Sequence, residues 1–396
     1  MAKRTVRDVR GLEGRTVFVR VDFNVPLDKA GVIEDDTRIR ASLPTLQYLR
    51  EAGARLVLAS HLGRPKKGPD PAFSLKPVAE RLSSLLGAAV AMAPDCVGDE
   101  VRRLAGGLGN GGVLLLENVR FHKEEEANDP AFAGRLVADS GATTFVNDAF
   151  GSAHRAHAST EGVSHHVKES VAGLLMEKEL RYLGLALQDP PRPFVAVLGG
   201  AKVSDKIEVI DNLLPRVDAL LVGGGMAYTF LRAQGLPTGK SLVEEEKLEL
   251  AKGLLQRAGG KIRLPADHVV AAAFKADAEH RTLPVAEIPE GWMGLDIGPE
   301  AARAYAEEAG RAKLVLWNGP MGVFEMEPFS HGTLAMARAL AESPGTSIVG
   351  GGDSVAAVTQ MGLADKIDHV STGGGASLEF LAGAELPGVA CLQEAS

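Results

Sequence analysis

Eight short apolar runs recur along the chain, each ending in or followed by glycine or polar residues. They are TVFVRV from Thr16, RLVLAS from Arg55, VLLLEN from Val113, TTFVND from Thr143, FVAVLG from Phe194, ALLVGG from Ala219, KLVLWNG from Lys313 and SIVGGG from Ser347. Their shortness and β-branched content predict strands. Between them, Thr37–Glu51, Leu75–Leu86, Ala131–Ser140 and Ser330–Glu342 carry the apolar spacing of one helix face. Strands alternating with helices predict parallel sheets covered on both faces, the α/β class in its doubly wound, Rossmann-like form. A chain of 396 residues exceeds the length at which one core stays continuous, so two such domains are expected. Apolar residues at Val171, Leu174, Leu175, Leu180, Leu183 and Leu187, followed by Asp189-Pro190-Pro191, predict a helical connector over 171–187. The expected division is 1–170, connector, and 188–386.

The polar residues that close each run are informative, because open parallel sheets bind ligands at the carboxyl ends of their strands. Asp22, Asn24, His61, Glu117, Asn118 and Asp148 close runs of the first half. Gly199, Gly223 to Gly225, Asn318 and Gly350 to Asp353 close those of the second.

Composition narrows the class. At 45% hydrophobic and 24% charged residues the chain reads as globular, neither disordered nor fibrous. The basic start leads into no apolar stretch and no window suits a membrane helix, so a cytoplasmic location without membrane attachment is expected. Cys96 and Cys391 fit no metal or redox spacing and read as small apolar residues. Residues 1–170 hold 23 Lys+Arg against 22 Asp+Glu, and 171–396 hold 20 against 29. Neither half has the basic excess of a nucleic-acid binder, and no nucleic-acid partner is expected.

The first half places Arg38, His61, Arg64, Arg120, His154 and Arg155 near its strand ends. Guanidinium groups grip carboxylates and phosphates in two-bond geometry, so repetition in loop after loop points to a small phosphorylated acid, although any single arginine alone is more often a surface ion pair. Asp22 and Asn24 suit substrate hydroxyls or a local turn. In the second half, FVAVLGGAKVSDK reads as strand, glycine turn and helix. Lys202 and Lys206 lie one turn apart, a pattern that suits a polyanion or a tight turn with solvated lysines. Glycine clusters in LVGGGMA, IVGGGDS and STGGGAS allow close backbone approach to phosphate and favour a nucleotide triphosphate. Asp353 is the candidate Mg²⁺ ligand, and Glu325 a candidate partner for a ribose hydroxyl. GKS at 239–241 lacks the P-loop spacing from Gly235. Gly107, Gly109 and Gly112 satisfy G-x-G-x-x-G but precede a strand, the wrong context for dinucleotides. His165 and His166 have no ligand-like partner set and read as surface residues.

Taken together, VDFNVP, HLGRP, ENVRFH, AFGSAHRAHAS, GGAKVSDK, WNGPMGVFE, GGGDS and STGGGAS resemble the signature segments of the phosphoglycerate kinase family, in that family's order and across nearly the entire chain. The resemblance implies Mg²⁺-dependent transfer between ATP and the carboxylate of 3-phosphoglycerate, giving 1,3-bisphosphoglycerate and ADP, by a monomer. It implies an acid site carried by Asp22, Phe23, Asn24, Arg38, His61, Leu62, Gly63, Arg64, Arg120 and Arg155. The nucleotide site it implies comprises Lys202, Lys206, Asn318, Glu325, Gly351, Gly352, Asp353 and Ser354, with Arg38, Lys202, Lys206 and the amides of Gly373, Gly374 and Gly375 stabilising the transferring group. The domains would face each other across a cleft and close on a hinge, with the tail from about 387 returning to the first. Competing readings are a two-domain nicotinamide dehydrogenase, which lacks its glycine fingerprint here, and a noncatalytic nucleotide-binding scaffold, which has no need of Arg38 with both lysines.

Overall fold

A computed structural model describes residues 3–66 and 68–395. The chain divides into two compact units, one comprising the residues up to Arg181 with those from Glu385 onward, the other Tyr182–Ala384.

In the first unit β1 (Thr16–Arg20), β2 (Arg55–Ala59), β3 (Val90–Met92), β4 (Val113–Leu115), β5 (Thr144–Asn147) and β6 (Glu169–Ala172) form one sheet in the order β3-β4-β2-β1-β5-β6, with every pairing parallel. Val17, Val19, Leu56 and Leu58 have no solvent exposure and pack with Ile39, Leu46 and Leu49 of the helix Thr37–Glu51 in one continuous core. Burial on both faces is why these strands read as apolar runs without alternation. From β1 the chain winds toward β2, and from β5 it winds the opposite way toward β6. The strand order therefore reverses between β1 and β5, the place where such sheets bind ligands.

The second unit contains β7 (Phe194–Leu198), β8 (Ala219–Val222), β9 (Ile262–Arg263), β10 (Asp267–Ala271), β11 (His280–Pro284), β12 (Met293–Ile297), β13 (Leu314–Asn318), β14 (Thr346–Gly350) and β15 (His369–Val370). Six of them make a second parallel sheet, β15-β14-β13-β7-β8-β9, with its reversal between β13 and β7. Trp317, Val197, Val315 and Val349 are fully buried within it. The other three form an antiparallel sheet, β11-β10-β12, that the apolar runs do not predict. β11, HRTLP, is largely exposed and polar, so it carries no strand-like apolar signal.

Two expectations change. The connector over 171–187 is not helical throughout, because Val171 and Ala172 belong to β6, which pairs with β5. The helix is Leu174–Leu187. Its first turn is fixed by Asp148, whose Oδ1 accepts the Leu175 amide at 2.9 Å and the Met176 amide at 3.3 Å. A Cβ on Gly173 would come within 2.1 Å of that oxygen. Asp148 is therefore spent on holding a helix end, not on a ligand.

The segment from Glu385 packs within the first unit. Asn147 Nδ2 donates to the Gly388 carbonyl at 2.7 Å, and the Gln393 side chain accepts from Arg4 Nη1 at 2.7 Å. No helix among the described residues is long and apolar enough to cross a membrane.

Candidate active site

Four loops at the carboxyl ends of β1, β2, β4 and β5 converge in the first unit and are tied to one another. Arg38, in the first turn of its helix, donates from Nη1 to Asp22 Oδ2 at 2.8 Å. Asn24 Oδ1 accepts the Gly63 amide at 2.8 Å, and the Gly63 carbonyl accepts from Arg120 Nη1 at 2.8 Å. Gly63 is required here. Its φ is +61°, and a Cβ would lie 2.4 Å from the Phe73 ring. Phe23 is buried with its amide on Ser60 Oγ, and Leu62 is buried with its carbonyl on Asn118 Nδ2, so these two shape the loops from beneath.

Under the loops lies Arg20, 1% exposed. Its Nε donates to Ser159 Oγ at 2.7 Å and its Nη2 lies 3.1 Å from His61 Nδ1. A guanidinium only donates, so Nδ1 accepts, and the neutral ring of His61 carries its proton on Nε2. Burial, then the charges of Arg20, Arg120 and Arg38, hold His61 well below the ordinary histidine range. His157 is brought down to about 4 by burial and then by Arg120, Arg20 and Arg155. Arg120 is itself lowered, mainly by burial, with Arg155 and Arg64 adding repulsion. Burial first, and then the charges of Arg20, Arg38, Arg120 and Arg155, keep the two histidines uncharged, and Arg64 adds to the same positive field through Arg120.

The field is balanced from behind by Glu125, which is fully buried and accepts the Ser159 amide at 2.9 Å and the Ser159 hydroxyl at 2.6 Å. Burial raises its carboxyl above the ordinary range against the pull of Arg20. Glu125→Ala deprives the buried Arg20 of the largest opposing charge acting on it and is expected to reduce unfolding free energy by roughly 3–5 kcal/mol in denaturant titration. A loss of less than about 1 kcal/mol, the range of an exposed pair, contradicts this role.

In the second unit the loops after β7, β13 and β14 meet. Lys206 is 8% exposed and donates from Nζ to Asn318 Oδ1. Burial brings its pKa down to about 8, against the opposing charges of Asp205 and Asp353. Asn318 Nδ2 is buried without a partner among the described residues, leaving one amide donor for an incoming acceptor. Gly351 has φ +87°, and a Cβ there would approach Asn318 Nδ2 to 3.0 Å. Ser354 is fully buried and accepts the Gly319 amide on Oγ at 2.6 Å, which joins the β13 and β14 loops. Asp353 is exposed in the first turn of the helix Gly352–Gln360.

Several sequence readings shift. Lys202 and Lys206 are not neighbours on one helix face, because Ser204–Lys206 is a short 3-10 turn ahead of the helix Ile207–Leu213. Lys202 is exposed and Lys206 buried. The glycines of LVGGGMA serve packing: a Cβ on Gly223 would strike Met321 Sδ at 2.5 Å, and one on Gly224 the Gly200 amide nitrogen at 2.6 Å. Gly352 and Gly374, by contrast, face open space. The Gly373 amide donates within its own loop to Ser371 Oγ at 3.1 Å. Glu325 is exposed in the loop after β13 and makes no hydrogen bond or ion pair among the described residues. Glu117, at the end of β4, is taken up by Ser74 Oγ and the Leu75 and Asn118 amides.

Arg20, Glu125 and Ser159 went unnoticed in the sequence. The available signal was Arg20 itself, a charge directly following the apolar run Val17–Val19, which must have a buried partner.

Known proteins resemble this chain in sequence and in fold. The phosphoglycerate kinase family profile matches residues 6–384. The cytosolic phosphoglycerate kinase of Triticum aestivum is 61% identical over 390 residues, 97% of this chain and 96% of that one. That of Moorella thermoacetica is 61% identical over 397 residues, covering both chains completely. Among solved structures, phosphoglycerate kinase from Coxiella burnetii superposes with a TM-score of 0.88 at 41% identity, and that from Pyrococcus horikoshii with 0.86 at 36%, each covering 98% of both chains. A family profile over nearly the entire length, with the site loops inside it, means that this chain is a phosphotransferase belonging to the phosphoglycerate kinase family.

Proposed function

We propose that the protein transfers the γ-phosphoryl group of ATP reversibly to the carboxylate of 3-phosphoglycerate, in glycolysis and its reversal, with the acid held on the first unit and the nucleotide on the second. The observation that carries the acid site is the arginine field around the neutral His61. Arg64, Arg120 and Arg155 meet the phosphate, Asp22 and Asn24 the hydroxyl, and Arg38 the carboxylate that receives the phosphoryl group. The carboxylate is ionised at neutral pH, so no residue need act as general base. The chain's contribution is to position the acid, to hold Lys206 and Arg38 where charge develops, and to exclude water.

Lys206, the free Asn318 amide hydrogen and the backbone of Gly351 to Ser354 are all donors, as a polyphosphate needs, with Lys202, Gly373, Gly374 and Glu325 proposed at the edges of the nucleotide. Asp353 fits Mg²⁺: it is an exposed carboxylate without an ion pair among the described residues, and Mg²⁺ typically takes one or two carboxylates together with phosphate oxygens. When bound there, the ion screens the negative charge of the phosphates. Because acceptor and donor sit on separate units, transfer requires a closing movement, which also protects ATP from hydrolysis. We further propose a monomer, located in the cytoplasm.

A coupled assay with MgATP tests the reading. Turnover on the order of 1–10³ s⁻¹ that depends on 3-phosphoglycerate is expected. ADP release no faster with the acid than without it contradicts the proposal.

A further inference from the structure

Three potential metal-ligating atoms lie outside the groups used above, behind the Arg120 loop: a carboxylate oxygen of Asp95, Cys96 Sγ and an imidazole nitrogen of His122, all within 4.8 Å of one another. His122 Nε2 is 2.6 Å from Asp95 Oδ1. We propose that Asp95, Cys96 and His122 form a binding site for a thiophilic divalent ion of the Zn²⁺ class. With bonds of about 2.0–2.3 Å to N, O and S, tetrahedral ligands sit roughly 3.3–3.7 Å apart, so the trio needs only about 1 Å of side-chain adjustment. One thiolate, one imidazole and one carboxylate suit zinc and cobalt and disfavour magnesium, and a fourth position is left for water. Cys96 is fully buried, whereas the Asp95 side chain is 49% exposed, which leaves an entry path from the Asp95 side. The ring of His122 is held by stacking on Phe132, with centroids 5.1 Å apart.

The ion would take the place of the proton now shared by His122 and Asp95. Bonds from metal to sulfur, nitrogen and oxygen form, and the Cys96 S–H bond breaks with its proton passing to solvent. The His122 ring proton follows when that ring is charged, and no electron is transferred. The charged groups acting on the trio from neighbouring elements are Glu124, Glu125 and Arg135. A thiol binds metal only as the thiolate, so binding releases the Cys96 proton. Affinity should therefore rise about tenfold per pH unit for each proton released.

The position has a structural meaning. His122 closes the short turn Val119–Phe121 that carries Arg120, and it opens the helix Lys123–Glu126 that carries Glu125. A metal there pins both.

Titration of the metal-free protein with Co²⁺, without nucleotide, tests the site by the thiolate-to-cobalt charge-transfer absorption. One equivalent should produce the band in wild type and in Cys391→Ser, with apparent affinity increasing with pH. Cys96→Ser should lose the band, and His122→Ala should weaken binding at least tenfold. No band in excess Co²⁺, a band that survives Cys96→Ser, or a wild-type affinity indifferent to pH overturns the site, the last requiring only the unmodified protein. None of these readouts depends on phosphoryl transfer, so failure here leaves the proposed reaction standing.

Discussion

Arg38→Ala is expected to lower kcat by roughly two orders of magnitude or more, the loss that follows removal of one preorganised group stabilising transition-state charge. The residue is fixed in the first turn of Thr37–Glu51 and aimed by its 2.8 Å bond to Asp22, so its guanidinium is poised before substrate arrives. The Arg38 side chain is 35% exposed but its partner Asp22 only 9%, so the contribution of Arg38 to stability is measured alongside the rate. Thermal unfolding of the variant should stay near wild type while the coupled rate falls. A rate within a few fold of wild type removes Arg38 from the chemistry, whereas a large drop in melting temperature would assign it to the fold.

Lys206→Met should cost a comparable factor, roughly 10²–10³ in kcat/KM, because a buried cation facing phosphate is worth more than an exposed one. Here pH supplies a second reading. The ammonium is the form that attracts phosphate, and in the free protein its pKa is about 8. Nucleotide affinity should therefore be level below pH 8 and weaken as pH rises above it, because the free protein must then take up a proton to bind. A phosphate nearby raises the pKa in the complex, which gives the dependence its sign. Calorimetric titration of nucleotide across that range should show the inflection in wild type and none in the Met variant. An inflection that persists without Lys206 belongs to another group.

The sequence made the sheet frame legible because parallel strands are buried on both faces and announce themselves as apolar runs. It hid β6, whose four residues ESVA begin with a charge, and the antiparallel sheet, whose exposed β11 has no apolar stripe to detect. Strand-end polar residues gather in the same loops in the fold but are a poor guide to individual roles. Asp148 and Glu117 occupy such ends and hold backbone amides, while Arg20, the last residue of β1, is buried beneath the loops. The glycine clusters illustrate the same limit, since Gly223 and Gly352 are alike in one dimension and opposite in surroundings. Role depends on what faces a residue across the fold, and a local window does not contain that.

The arginine loops also show why the site tolerates so much like charge. Buried Glu125 and the acidic Asp22 lie within the field of Arg20, and the two histidines remain uncharged instead of adding to the repulsion.

The most direct measurement is a crystal structure of the protein with 3-phosphoglycerate, Mg²⁺ and a nonhydrolysable ATP analogue. The account predicts the acid's phosphate on Arg64, Arg120 and Arg155, the triphosphate on Lys206 and the Gly351 to Ser354 turn, and the acid's carboxylate in line with the terminal phosphorus beside Arg38. An acid bound away from those arginines, or a triphosphate that leaves Lys206 and Asn318 untouched, would contradict it.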